Sequence, residues 1–203
     1  WYNTYYRKIF SVFKGYDTKS VSLTKESAAF FLWKKGEAMF KEGDFIIYGS
    51  NGVCQVEHIG SMDLQGVPGD KMYYTLVPVY EEKSRLFTPV DNHKVVMRPV
   101  ISKKEACELI DHMQEMQVFE IQNEKNRDTV FKEALKTGDC EELVRVIKTI
   151  YEKKQERKAQ GKKVTAGDER YFKLAEEHLY GELAIALGIE KDKVSSYIEK
   201  RIA

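Results

Sequence analysis

The sequence has few cysteines, no long apolar segment and no surplus of charge of one sign. Its three cysteines, Cys54, Cys107 and Cys140, lie far apart, and their spacing matches neither a zinc site nor a disulfide framework. No apolar run reaches the roughly 18 residues that a membrane-spanning helix needs. The chain carries 33 Lys+Arg against 32 Asp+Glu, so it cannot coat nucleic acid by net charge alone. These absences favour a soluble, cofactor-free protein of the reducing cytoplasm.

Motifs that carry catalysis are also missing. The histidines stand singly, without the i, i+4 pairing or neighbouring ligands of a metal site, and no nucleophile elbow or Cys–His pair is present. The segment GSNG at 49–52 lies between two predicted strands, which favours a hairpin turn over a phosphate cradle. We therefore predict that the protein is not an enzyme. A deep pocket with clustered ionisable groups would support the rival hypothesis of a small enzyme.

Residues 1–38 differ in character from the rest of the chain. They mix aromatic and cationic residues without helical or alternating periodicity, so they are expected to be disordered. The codons for residues 35–39 can contain a purine-rich ribosome-binding site just ahead of an ATG. Our hypothesis is that this segment is non-native, translated leader sequence and that Met39 begins the natural protein. The alternative is a genuine N-terminal extension, and the nucleotide sequence of these codons decides between the two.

Residues 39–100 have the pattern of a small antiparallel sheet. Short apolar or alternating runs are separated by turn-forming residues, and they read DFIIY, VCQVEHIG, MYYTLVPVY and RLFTPV. Pro78 and Pro89 lack a backbone donor, so they belong at strand ends, sheet edges or bulges. The pattern predicts a strongly bent, barrel-like sheet.

From residue 101 onward the apolar period changes from two to 3.6, which predicts an all-helical domain over residues 101–203. The predicted helix caps are Ser102 with Glu105, Asp139 and Thr165 at N-termini, and Gly138 and Gly188 at C-termini. The expected inward residues are Ala106, Leu109, Ile110, Met113, Leu143, Val146, Ile147, Ile150, Tyr151, Phe172, Leu174, Ala175, Leu179, Leu183 and Leu187.

Cations are concentrated in one part of the helical region. Between Lys125 and Lys173 there are 14 Lys+Arg and 9 Asp+Glu, an excess of five in an otherwise balanced chain. Such an excess suits contacts to phosphate groups, which position a nucleic acid without reading its sequence. A solvated helix surface explains the same charges, so both interpretations stay open at this point.

A series of motifs runs in a fixed order along the chain: FKEGDFIIYGSNGVCQVEHIG, YYTLVPV, TPVDN, MRPVIS, KTGDCEELVRVIKTIYEKKQER and DERYFKLAEEHLYGELAIALGI. From Met39 to the end, this series resembles the CarD/CdnL family of bacterial transcription regulators. The resemblance implies an N-terminal Tudor-like domain, shared with transcription-repair coupling factor, that binds the β subunit of RNA polymerase. It also implies a helical domain that contacts promoter DNA at the upstream edge of the transcription bubble and stabilises the open complex.

The resemblance also implies which residues contact DNA. In well-known members a tryptophan near the start of the second C-terminal helix wedges into the minor groove beside the bubble. The equivalent position here is Glu124, which cannot act as a wedge and would repel phosphate. We expect contacts to the DNA backbone from Lys125, Arg127, Arg170 and Lys173.

The polymerase-binding residues follow from the same resemblance. The arginines that face polymerase in well-known members fall on Met62 and Phe87 here, and Arg85 is the nearby cation. Docking through these three residues would be a more apolar contact than the one that the arginines of well-known members make. Alternation along residues 85–87 leaves open whether Phe87 faces solvent or the core.

Together these inferences predict an α+β protein, with a Tudor-like β-barrel at residues 39–100 and a helical domain at residues 101–203. We expect a monomeric, cytoplasmic bacterial transcription regulator that needs no metal or cofactor. Its expected partners are the RNA polymerase β subunit and the backbone of promoter DNA. The alternative is an adaptor that docks on polymerase without contacting DNA, since the wedge tryptophan is missing.

Overall fold

The structure is a computed structural model that describes residues 40–61, 71–81, 84–121 and 123–202. Across these residues an antiparallel five-stranded sheet is followed by five α-helices, which confirms the predicted α+β class. Phe40–Ala203 form one compact unit. The segment predicted to be leader-derived, residues 1–38, lies outside the described residues.

The sheet is built from five short strands. They are β1 Phe45–Tyr48, β2 Val53–Ser61, β3 Met72–Pro78, β4 Leu86–Pro89 and β5 Met97–Pro99. Their order is β4-β3-β2-β1-β5, with every neighbouring pair antiparallel, so β4 and β5 are the outermost strands of the described sheet. Pro78 and Pro89 end their strands, as expected of residues without a backbone donor. The sequence pattern does not predict β5, because three residues are too few to show alternation.

The connection between β1 and β2 is the turn that the GSNG segment predicts. A single 3-10 turn, Gly49–Asn51, links the two strands, and the amide of Tyr48 donates to the carbonyl oxygen of Gly52 at 3.0 Å. Gly49 and Gly52 both have positive φ angles, 49° and 67°. Because residues with a Cβ rarely adopt this conformation, the two glycines permit the tight return of β2.

Alternation along β3 and β4 separates an inner from an outer face of the sheet. Tyr74 and Leu76 of β3 are fully buried on the inner face. Phe87 of β4 pairs with Thr75 and is 51% exposed, so it lies on the outer face. The structure thus decides the question that the sequence left open, because Phe87 faces solvent and not the core.

The helical region contains five α-helices: α1 Lys103–His112, α2 Arg127–Thr137, α3 Cys140–Ala159, α4 Ala166–Leu187 and α5 Val194–Ile202. The predicted caps are confirmed. In the capping box of α1, the Ser102 hydroxyl oxygen accepts from the Glu105 amide at 3.2 Å, and the Glu105 carboxylate accepts from the Ser102 amide at 2.7 Å. None of the helices in the described part of the chain is both long and apolar enough to cross a membrane.

The helices enclose a core that largely follows the predicted inward faces, but one predicted residue is exposed and several buried residues were not predicted. Tyr151 is not buried but 54% exposed. The inward-facing residues of α3 run from Ile150 to Lys153, so Tyr151 lies on the solvent side of the helix. Tyr171, which the sequence did not single out, is buried and packs edge-on against Phe131 with ring centroids 5.6 Å apart. Four predicted core residues are only partly buried: Met113, Ile147, Phe172 and Leu174.

The sheet meets the helices at a buried ion pair between Arg98 of β5 and Glu182 of α4. The Arg98 guanidinium donates to the two Glu182 carboxylate oxygens at 2.5 and 2.6 Å and to the Gly138 carbonyl oxygen. The Glu182 side chain is 1% exposed and also accepts from the Ile101 amide at 3.0 Å and the Cys140 thiol at 3.1 Å. Burial opposes the charge of Arg98, but the hydrogen bond and charge of Glu182 raise its pKa above the ordinary value. One carboxylate therefore joins four segments of the chain.

Two glycines allow the close approach of sheet and helices around this ion pair. The hydroxyl of Tyr80, just after β3, donates to the carbonyl oxygen of Gly181 at 3.0 Å. A Cβ atom on Gly181 would lie 2.8 Å from the Tyr80 ring, and one on Gly138 would lie 2.8 Å from a methyl carbon of Ile47. The sheet therefore packs directly against the backbone at these two positions, which leaves no room for larger residues.

We expect Arg98→Met to lower the free energy of unfolding by about 3–5 kcal/mol, because it leaves the buried Glu182 carboxylate without a counter-charge. Arg98→Met/Glu182→Leu removes both charges and should recover part of that loss. The matched control is Arg201→Gln, which breaks the exposed Arg201–Asp111 pair and should lower the free energy of unfolding much less. Urea unfolding measures the stability of all three variants. Equal losses of unfolding free energy in Arg98→Met and Arg201→Gln would contradict the prediction.

Candidate functional site

The outer face of the sheet carries an exposed aromatic surface around Phe87. Phe87 lies opposite Thr75 and Pro89 lies opposite Tyr73 in the β3–β4 ladder, so these four side chains share one face. Arg85, two residues before Phe87, flanks them. We call this set, Tyr73, Thr75, Arg85, Phe87 and Pro89, the Phe87 surface. It presents a large aromatic side chain to solvent beside a fixed cation.

Arg85 is held in place by a bidentate ion pair. Its Nε donates to one carboxylate oxygen of Glu57 on β2 at 2.7 Å, and a terminal nitrogen donates to the other at 2.8 Å. The hydrogen bond from Arg85 lowers the pKa of Glu57, so the carboxylate is ionised at neutral pH. Arg85 therefore offers an oriented but partly neutralised charge. Met62, the third predicted polymerase-binding residue, lies outside the described residues.

A second feature forms where three helix ends meet. Arg127, the first residue of α2, has a guanidinium nitrogen 3.1 Å from a carboxylate oxygen of Asp168 near the start of α4. Lys153, in the C-terminal half of α3, pairs with Glu124, which lies just before α2. We call this region the basic end, and its cations are Lys125, Arg127, Lys153, Lys154, Arg157, Lys158, Lys162, Lys163, Arg170 and Lys173.

Three of the four predicted DNA-contact residues are exposed at the basic end. Lys125, Arg170 and Lys173 have no carboxylate oxygen within 4.0 Å among the described residues. Arg170 and Lys173 are three residues apart on α4 and so share a face. Arg170 also lies near Asp128 of α2. The pKa of Asp128 is lowered mainly by its hydrogen bond from Lys132, and the positive charge of Arg170 adds to this effect. These cations are free to contact an external anion.

Arg127, the fourth predicted contact, is placed differently. Its side chain is only 19% exposed, and it pairs with both Asp168 at 3.1 Å and Glu124 at 2.6 Å. The Asp168 side chain is 3% exposed, and a carboxylate so deeply buried requires a counter-charge. Arg127 therefore joins α2 to α4, and only part of its guanidinium is open to a phosphate.

Glu124, the wedge-equivalent position, is an exposed carboxylate that neutralises two cations. Its side chain is 66% exposed and accepts hydrogen bonds from Arg127 at 2.6 Å and from the ammonium group of Lys153. The Lys153 hydrogen bond, together with the charges of Arg127 and Lys153, lowers the pKa of Glu124. Glu124 is therefore ionised at neutral pH, and this position provides no apolar wedge.

Sequence reasoning did not single out Lys153 and Arg157, whose positions on α3 are unusual. The inward stripe of α3 passes through Val146 and Ile150 and then reaches these two cations at the next helical intervals. The Lys153 side chain is 23% exposed, and the half-buried Arg157 donates through Nε to the Lys163 carbonyl oxygen at 2.8 Å. The change from aliphatic to cationic residues along one stripe is the signal that could have found them.

The described residues show little that suits catalysis. They contain no group of three or more His, Cys, Asp or Glu side chains that could hold a metal ion. Burial raises the pKa of the Cys54 thiol to about 12 and also raises that of Cys140. Because the thiolate is the nucleophilic form, these two thiols are poor nucleophiles at neutral pH.

Protein-family models match both parts of the chain. The model described as the CarD-like/TRCF RID domain matches residues 40–101, which contain the sheet, and the model described as the CarD C-terminal domain matches residues 108–199, which contain most of the helices. Together they indicate a transcription factor of a class that interacts with RNA polymerase. The chain belongs to the CarD/CdnL family, a family of transcription factors and not of enzymes.

We expect Arg127→Gln to lower the free energy of unfolding by about 1–3 kcal/mol, because it leaves the buried Asp168 carboxylate without its cation. Lys125→Gln, two residues earlier and exposed, is the matched control and should change stability by less than about 0.5 kcal/mol. Urea unfolding midpoints at constant m-value measure the difference. If Arg127→Gln leaves the free energy of unfolding unchanged, this arginine has no structural role.

Proposed function

We propose that this protein docks on the β subunit of RNA polymerase through the Phe87 surface and holds promoter DNA by its backbone through the basic end. Its effect is to stabilise the open complex as a monomer, without a cofactor. The observation that carries the proposal is the pairing of two exposed, chemically different surfaces on one compact unit. Family membership makes polymerase the expected partner of the first surface.

The Phe87 surface has the composition of a protein-docking site. Exposed aromatic side chains and arginines are the residues that most often anchor protein interfaces. Phe87 supplies apolar area, while the bidentate pair with Glu57 fixes the direction of the Arg85 guanidinium. A partner that covers Phe87 therefore gains burial without having to order a flexible arginine.

The basic end has the composition of a surface that contacts the phosphate backbone. Its exposed lysines and arginine are long, flexible cationic side chains, which suits contacts to phosphate oxygens. The N-termini of α2 and α4 lie at this end and add positive potential through their helix dipoles, which the C-terminus of α3 partly offsets. Such a surface binds DNA of all sequences with similar affinity. Docking on polymerase would place it next to promoter DNA and so raise the local concentration of that DNA.

An adaptor that docks on polymerase without contacting DNA is the second candidate. Glu124 favours it, because an ionised carboxylate stands where well-known members of the family have a tryptophan wedge. A carboxylate cannot offset the unstacking of a base step and repels phosphate. Under this alternative the cations of the basic end are ordinary solvated residues on the helix surfaces and bind no DNA.

We expect Phe87→Glu in the full chain to weaken binding to the β subunit by more than about tenfold, because it places a charge where an aromatic anchor is covered. Met72→Glu is the matched control, since Met72 is 44% exposed at the start of β3 and follows the alternation of the inner face. Titration of labelled protein with the isolated β subunit measures both affinities. Equal effects of the two variants would contradict docking through the Phe87 surface.

We expect Lys125→Gln, Arg170→Gln and Lys173→Gln each to reduce the salt dependence of DNA binding by about 0.9 units in the log–log slope, since each removes one phosphate contact. The loss of DNA affinity should be the same on DNA of unrelated sequence, and the variants should shorten the lifetime of the open complex. Lys136→Gln is the control, because it lies at the opposite end of α2 and is also exposed.

Affinity titrations over a range of salt concentrations and lifetime measurements on a promoter test this prediction. If the three variants leave both quantities unchanged while polymerase binding is normal, the adaptor is the correct function.

A further inference from the structure

The basic end contains a recessed group of cations that an acidic side chain of the same chain covers. The side chains of Arg127 and Lys153 are 19% and 23% exposed, and both contact the carboxylate of Glu124, which is 66% exposed. The carboxylate therefore lies on the solvent side of the cations. Arg157, one turn further along α3, is close enough to contribute to the electrostatic field at Glu124.

The two cations from α3 lie on the stripe that is aliphatic earlier in the helix. Partial burial of a cation costs solvation free energy unless an anion lies beside it. Arg127 already has Asp168 as a counter-charge. Lys153 has no acidic partner but Glu124 within 4.0 Å among the described residues. The cluster therefore requires one anion, and Glu124 supplies it.

We propose that Arg127, Lys153 and Arg157 form a binding site for one phosphodiester of the DNA backbone, and that Glu124 occupies this site in the free protein as an internal competitor. This inference rests on the proposed DNA contact and deepens it. Carboxylate and phosphodiester groups both accept charge-assisted hydrogen bonds from arginine and lysine, so either can fill the same cluster.

The backbone around Glu124 permits this exchange. Glu124 begins a single 3-10 turn, Glu124–Asn126, that contains no buried residue. Its carboxylate can leave the cations for water without uncovering any of the core. Because DNA must displace this carboxylate, the free protein binds DNA more weakly than the number of its cations indicates.

Glu124→Gln in the full chain tests the proposal, with binding to a short duplex that carries a premelted bubble measured over a range of salt concentrations. The variant frees Lys153 and part of Arg127, so affinity at low salt should rise roughly two- to fivefold, as for release of an exposed ion pair. The log–log salt slope should steepen by about 0.9 for each cation that gains a phosphate. Exposed ion pairs contribute little to stability, so we expect the variant to fold.

Two further variants separate release of the cations from simple loss of a negative charge. Glu152→Gln removes an exposed carboxylate next to Lys153 that has no ion pair among the described residues, and it should not steepen the slope. Glu124→Gln/Lys153→Met should lose the gain of the single variant. A gain in Glu124→Gln that is absent from both of these variants supports the proposal.

Other results overturn it. Equal gains in Glu124→Gln and Glu152→Gln would mean that Glu124 acts only by general repulsion. Unchanged or weakened binding in a folded Glu124→Gln would mean that its carboxylate positions the cations instead of competing for them. If the wild-type chain binds DNA through Lys125, Arg170 and Lys173 while Glu124→Gln has no effect, the proposed function stands and this inference alone fails.

Discussion

The buried pair of Arg98 and Glu182 is the constraint on which the arrangement of this protein depends. A carboxylate that is 1% exposed would be strongly destabilising alone, and here it is compensated by a guanidinium, a backbone amide and a thiol. These donors come from different segments of the chain. The pair is therefore satisfied only when β5, α4 and the start of α3 are all in place, which favours one packing of sheet on helices over others.

This constraint bears on the proposed function through geometry. The Phe87 surface belongs to the far strands of the sheet, and the basic end belongs to α2, α3 and α4. Since the sheet packs directly on the helix backbone at Gly181 and Gly138, the two surfaces are held by one compact unit. Docking by the first surface would then present the second at a fixed position, which raises the local concentration of weakly held DNA.

The charges of the basic end fall into two groups with different chemistry. Half-buried cations, Arg127 and Lys153, are paired with carboxylates, whereas the exposed Lys125, Arg170 and Lys173 have no acidic partner in the described part of the chain. The first group joins helices and keeps an anion close. The second group is available to phosphate at once. A count of charges alone does not separate these two roles, because burial and pairing decide them.

The sequence by itself determined the elements apart from the three-residue strand β5, because strand alternation, turn glycines and helix caps act over a few neighbouring residues. The capping box at Ser102 and the glycine C-caps were predicted at the correct residues for this reason. Only the tertiary structure decided the exposed face of Phe87, the exposure of Tyr151 and the pairing of Arg127 with Asp168. Each depends on residues that lie far away in the chain or on the angle at which two elements pack. No local pattern contains that information, so it exists only once the sheet and helices have packed together.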